Sequence, residues 1–92
     1  MPKNARTVLS GLEKKGFQSR DNDHRFLHLW VDDRKTSIYT KISHGEKEIG
    51  DNLLGMMARQ VRLTRRQFLD LVDCPLSGEE YVGILRNGRH VD

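Results

Sequence analysis

His24-Arg25-Phe26-Leu27-His28-Leu29-Trp30-Val31, then Asp32-Asp33-Arg34-Lys35, then Thr36-Ser37-Ile38-Tyr39-Thr40-Lys41-Ile42 is the stretch that decides how this chain folds. Both flanks alternate with period two, the signature of a strand with two unlike faces. Leu27, Leu29 and Val31 share one face of the first run; His24, Phe26, His28 and Trp30 share the other. In the second run Ile38, Thr40 and Ile42 stand opposite Ser37, Tyr39 and Lys41. The polar link reads as a hairpin turn. With its tip at Asp33-Arg34, Leu29 faces Ile38, His28 faces Tyr39 and Phe26 faces Lys41. That register keeps aliphatic residues on one side and rings on the other, and a one-residue slip would mix them.

Upstream, Ala5–Lys15 carries Val8, Leu9 and Leu12 at helical spacing, with Asn4 placed to cap and Gly16 to supply the left-handed residue that ends the helix. Phe17–Arg20 is a short extended segment closed by the turn-forming run Asp21-Asn22-Asp23. Downstream, Gly50–Val61 has a stripe of Leu53, Leu54, Met57, Ala58 and Val61. Two capping boxes follow, Thr64 with Gln67 and Ser77 with Glu80. They predict short helices at about 65–73 and 78–86, separated by Cys74-Pro75 and ended at Asn87-Gly88. The order is α-β-β-β-α plus two short helices. The predicted fold class is therefore α+β, with a three-stranded antiparallel sheet carrying helices on one face, as in the double-stranded-RNA-binding fold. Residues 1–72 make the αβββα domain and the start of the C-terminal helices; residues 73–92 are a helical extension packed on the same domain.

Composition bounds the functional classes. Of 92 residues, 36% are hydrophobic and 32% charged, with a net charge of +3. Residues 1–41 hold nine basic and five acidic side chains, so the positive excess lies in the hairpin half. This permits an anionic partner. No apolar run has the ~18 residues of a membrane span. The start, MPKNARTVLSG, has no secretory h-region, so the expectation is a soluble cytoplasmic domain. One cysteine, Cys74, allows neither an internal disulfide nor a zinc knuckle and reads as a small structural residue. The four histidines do not suggest a metal centre either. His24 and His28 lie ~13 Å apart along a strand, at roughly 3.3 Å per residue. Nucleotide-cofactor motifs are absent, so no metal and no cofactor is expected.

The second face of the hairpin carries the functional question. His24, Phe26, His28, Trp30, Tyr39 and Lys41 share it, with Gln18 and Arg20 on the preceding strand. A domain this small needs one sheet face for its core, so the other face calls for a partner. Bases of unpaired RNA stacking on the rings, a second protein, and the C-terminal helices folding back all satisfy that. His24 stands at the head of its strand beside Arg25. A histidine there can exchange protons near neutral pH without a metal, as RNA cleavage requires, with Arg25, Arg20 or Lys41 to steady the phosphorane. Arg25 nominally points to the other face. Arg59, Arg62, Arg65 and Arg66 form a separate basic cluster, suited either to solvent or to an RNA backbone or acidic protein.

The ordered pieces resemble the HicA family of small mRNA interferases from toxin–antitoxin systems. Leu12-Glu13-Lys14-Lys15-Gly16-Phe17 is similar to the close of that family's first helix. Asn22-Asp23-His24 occupies the place of its Gly-Ser-His turn, Asn being tolerant of the left-handed conformation a glycine would supply. His44-Gly45-Glu46-Lys47-Glu48-Ile49 is similar to its His-Gly…Lys-Glu-Leu stretch, and Arg62-Leu63-Thr64…Phe68-Leu69 to its Gly-Leu-Ser/Thr…Phe-Leu segment. The resemblance runs over residues 6–72. It implies a double-stranded-RNA-binding-like fold and a metal-independent endoribonuclease acting on mRNA. It further implies His24 as the catalytic histidine and a HicB-type antitoxin protein as partner. Arg20, Arg25, Phe26, His28, Trp30, Tyr39 and Lys41 are the candidate RNA contacts. The sequence is also compatible with a homodimer.

Overall fold

The computed structural model describes residues 3–43, 45–73 and 75–91; the readings placed on His44 and Cys74 lie outside the described residues. The elements run β1 (Lys3–Asn4), α1 (Ala5–Glu13), β2 (Phe17–Asp21), β3 (His24–Val31), β4 (Arg34–Ser43), β5 (Glu48–Ile49), α2 (Asp51–Gln60), α3 (Arg65–Asp73) and α4 (Gly78–Asn87). Strands β2, β3 and β4 form a three-stranded antiparallel sheet in that order. The fold is α+β with the expected α-β-β-β-α order, followed by two short helices. A second, two-stranded sheet pairs β1 with β5. It was not foreseen, since two residues show no periodicity.

The hairpin register holds near its open end and changes near its tip. His24↔Ser43, Phe26↔Lys41 and His28↔Tyr39 pair as alternation requires, but beyond a register shift the pairs are Trp30↔Lys35 and Val31↔Arg34. The tip is Asp32-Asp33, not Asp33-Arg34, and Leu29 has no direct partner in Ile38. Physically, a two-residue hairpin turn of the favoured hand needs positive φ at both central residues. Asp32 (51°) and Asp33 (63°) supply it, aspartate being one of the few side chains that tolerates the region. The surplus residues of β4 are absorbed in a bulge. There the Thr36 hydroxyl donates to the Leu29 carbonyl (2.8 Å) and accepts from the Ile38 N–H (3.2 Å).

Caps behave as read. The Asn4 side chain accepts from the N–H groups of Arg6 and Thr7, and Gly16 has φ +106°. Both capping boxes are closed, Thr64 with Gln67 and Ser77 with Glu80. Helix α1 stops two residues before the predicted Lys15, because the Lys15 N–H bonds the Leu12 carbonyl in a tightened last turn. Its ammonium then reaches the carbonyls of Leu71 and Leu76, tying α1 to the end of α3. Helix α2 ends through Arg62, at φ +68°, with the Leu63 N–H bonding the Ala58 carbonyl (2.8 Å). This is a left-handed cap on a residue that is not glycine.

The core lies between the aliphatic sheet face and the helices. Leu27, Leu29, Ile38 and Ile42 meet Val8, Leu12, Leu54, Met57, Phe68 and Leu71. Each such side chain contributes roughly 1.5–3 kcal/mol on burial. Thr40, the buried polar residue of β4, donates to the Gln60 side chain at 2.6 Å, which anchors α2 over the sheet. Helix α4 joins the same core. Tyr81 stacks on Phe17 with ring centroids 5.9 Å apart, its hydroxyl donates to the Val61 carbonyl (2.8 Å), and Leu85 is fully buried. Burial pushes the Tyr81 phenol far above its ordinary pKa. The possibility that the C-terminal helices cover the ringed face is thereby corrected: Tyr81 and Leu85 turn to the core, and α4 runs past the Trp30 edge of that face. Among the described residues, no helix is long and apolar enough to cross a membrane.

Gly11 of α1 lies close against Val72 of α3, where an added Cβ would stand 2.5 Å from the Val72 carbonyl oxygen. Backbone on both sides leaves nothing to rotate away. Gly11→Ala is expected to destabilise the fold by about 2–3 kcal/mol, read as a lower urea midpoint than that of a Ser10→Ala control. An unchanged midpoint would mean that α1 and α3 separate without cost.

Candidate nucleic-acid interface

Alternation carries Gln18 and Arg20 of β2, the rings of β3, and Lys35, Tyr39 and Lys41 of β4 to the sheet face away from the helices. His28 stacks on Tyr39, with centroids 5.2 Å apart and planes 24° apart. Phe26 adjoins both, at 6.4 Å from His28 and 6.3 Å from Tyr39. His24 continues the row edge-on to Phe26 at 6.4 Å. Tyr39 is 46% exposed, an unusual value for a large ring in a chain with so few. Arg20, Asn22, Phe26, His28, Lys35 and Tyr39 line a shallow depression of ≈ 270 Å³. No carboxylate lines it.

The electrostatics follow from that lining. Arg20 is diagonal to His28 across the β2–β3 pairing and Lys35 is diagonal to it across β3–β4, within reach of long side chains. Partial burial, then Lys35, then Arg20 hold the His28 imidazole below the ordinary histidine pKa, because each disfavours a further positive charge. Among the described residues neither cation is in an ion pair. His28 is therefore a neutral ring at pH 7 between two unneutralised cations.

His24 lies at the head of β3, opposite Ser43, and its carbonyl accepts from the Asn22 N–H at 3.0 Å. That bond closes the turn. Asn22 does not take the left-handed conformation; among described non-glycine residues, positive φ falls at Asp32, Asp33, Arg62 and Arg89. Lys41 is exposed opposite Phe26, outside the depression. Arg25 lies on the other face: it pairs with Ile42, bonds Asp21 (2.8 Å) and lines a separate cavity with Ala5, Arg6 and Leu9. Trp30 belongs with the outer rings by alternation. It nevertheless lines a groove with Lys15, Gly78, Glu79, Val82 and Arg86, at the edge where α4 passes.

Thus the structure brings Arg20, Phe26, His28 and Tyr39 together, sets His24 and Lys41 beside them, and leaves Arg25 and Trp30 out. It adds Lys35 and Asn22, which sequence reasoning missed. Lys35 was hidden by the assumed turn, since a tip at Asp33-Arg34 puts it beside the loop. Two consecutive aspartates, both able to take positive φ, were the signal that could have moved the tip. Arg59, Arg62, Arg65 and Arg66 are exposed in the helical layer, around the α2–α3 junction. Among the described residues no cluster of three histidine, cysteine or carboxylate side chains could hold a metal ion.

An aromatic and basic sheet face of this kind defines a candidate single-stranded nucleic-acid interface. Comparison with protein-family models, curated proteins and solved structures yields no match.

One measurement checks the electrostatics. In NMR titration of the imidazole Hε1 resonances, His28 is expected to protonate at a lower pH than an ordinary histidine. Removing a neighbouring cation, in Lys35→Gln or Arg20→Gln, is expected to move its midpoint upward. A His28 midpoint unaffected by both changes would contradict the arrangement.

Proposed function

We propose that this chain is a HicA-like toxin, a metal-independent endoribonuclease that cleaves mRNA in the cytoplasm and is neutralised by a HicB-type antitoxin on the same face. The observation that supports it best is the placement of His24 at the end of an uncovered row of rings and cations. An unpaired strand laid along this face would stack its bases on Tyr39 and Phe26 and turn a phosphodiester toward His24. His24 then takes the proton of the 2′-hydroxyl, whose oxygen attacks phosphorus, or returns one to the departing 5′-oxygen. Lys41, opposite Phe26, supplies positive charge to the phosphorane, with Arg20 across the same ring toward a neighbouring phosphate. The order of sequence pieces that resemble HicA is the second support.

Expression in a susceptible bacterium and cleavage of a single-stranded mRNA fragment by purified protein test this reading. Wild type is expected to arrest growth and to cut RNA in the presence of EDTA. His24→Ala is expected to lose roughly 100-fold or more of the cleavage rate, the usual contribution of a positioned proton-transfer group. Equal toxicity of wild type and variant, or cleavage abolished by chelator, would refute it.

A second reading, a non-catalytic RNA-binding or protein-interaction module on the same fold, is favoured by one observation. The unneutralised cations and the stacked ring pair centre on His28 and Tyr39, not on His24. Salt-dependent RNA binding with no cleavage would select the RNA module. Failure to bind RNA at low salt would leave a protein partner.

A further inference from the structure

We propose that Arg20, His28 and Lys35 form a clamp for one phosphate group of a nucleotide whose base stacks on the exposed Tyr39 ring, a binding subsite separate from His24. The proposal rests on the reading of the outer face as a nucleic-acid surface, but not on cleavage. Three observations carry it. The residues line one depression from which carboxylates are absent. The two cations approach His28 from opposite neighbouring strands, β2 and β4, and neither is in an ion pair among the described residues. The ring of His28 is held against Tyr39, whose own exposure leaves a flat surface for a base.

Two exposed cations beside the His28 imidazole lack the counter-charge that a phosphate would bring, and hydrogen bonds of this charge-assisted kind are the strong ones. The groups facing His28 are Arg20 and Gln18 from β2, and Lys35, Tyr39 and, one pair further, Lys41 from β4. All the charged ones are cations. A phosphate placed among them removes the repulsion that disfavours the imidazolium and adds an attraction that favours it. Binding is therefore coupled to proton uptake by His28, and affinity for the phosphate rises as pH falls toward 6. The coupling belongs to the phosphate, so the base and sugar alone do not evoke it.

The test uses the full chain in a phosphate-free buffer with three probes: uridine, uridine 5′-monophosphate, and a short single-stranded 2′-deoxy oligonucleotide that cannot be cut through a 2′-hydroxyl. The two phosphate-bearing probes are expected to raise the NMR titration midpoint of His28, and uridine to leave it in place. Oligonucleotide affinity is expected to increase on going from pH 8 to pH 6 and to weaken about tenfold in Lys35→Gln, the loss of one charge-assisted bond. In His28→Gln the pH dependence is expected to flatten while binding persists. These side chains are partly or fully exposed, and retained ring-current shifts at Phe17 and Tyr81 verify folding. A His28 midpoint that ignores both phosphate probes, or one that moves equally with uridine, overturns the clamp. So does an oligonucleotide affinity that Lys35→Gln leaves unchanged. RNA cleavage with an unmoved His28 would sink the clamp and leave the nuclease standing; the expected shifts without cleavage would do the reverse.

Discussion

The stacking of Tyr81 on Phe17, sealed by its hydroxyl on the Val61 carbonyl, is the contact on which the rest of the structure depends. It joins the first residue of the sheet to the last helix and commits α4 to the helical side. A buried phenol needs a hydrogen-bond partner, and here the partner is the carbonyl that α2 leaves unsatisfied at its end. The same contact thus closes α2, seats α4 and fills the core under β2. Tyr81 and Leu85 are fully buried there and Ile84 packs against the same core, while Val82 lies at the Trp30 edge. With α4 seated there, Tyr39 stays exposed on the outer sheet face and the rings of His24, Phe26 and His28 stay half-buried.

What that face can do is set by the bulge in β4. Were the hairpin regular to its tip, Lys35 would adjoin the loop and His28 would have a cation on one side only. The Asp32-Asp33 turn draws the tip back by one residue, and the Thr36 hydroxyl satisfies the backbone groups that the displaced register exposes. Lys35 then stands across from Trp30, diagonal to His28. A local choice of turn residues is in this way translated into the electrostatics of a ring some distance along the strand. Bulges commonly re-aim side chains near functional sites, and this one supplies the second cation of the depression.

Most of the architecture was legible because its signals are local. Period-two alternation marked β3 and β4, paired caps marked α3 and α4, and Gly16 marked the end of α1. The stretches that escaped depend on contacts remote in sequence. Lys3 pairs with Ile49 through backbone alone, which no side-chain pattern records. The destination of α4 hinged on Tyr81 finding Phe17, and an apolar stripe does not say which of two faces it will meet. Of the candidate site, the faces of His24, Phe26, His28 and Tyr39 were readable from parity. Arg25 was doubtful on parity alone, and its bond to Asp21 places it elsewhere. Trp30 obeyed parity but was drawn to the α4 edge, and Lys35 required the turn geometry.

Strand β4 is also the outermost strand of its sheet, ten residues long, with one side of its backbone unpaired by any strand among the described residues. Such an edge invites other strands to add to it, and lysine on the strand is a common deterrent. Lys35 and Lys41 place two such charges on this strand. Replacing either by an apolar residue would remove charge from the edge strand, whereas arginine would keep it.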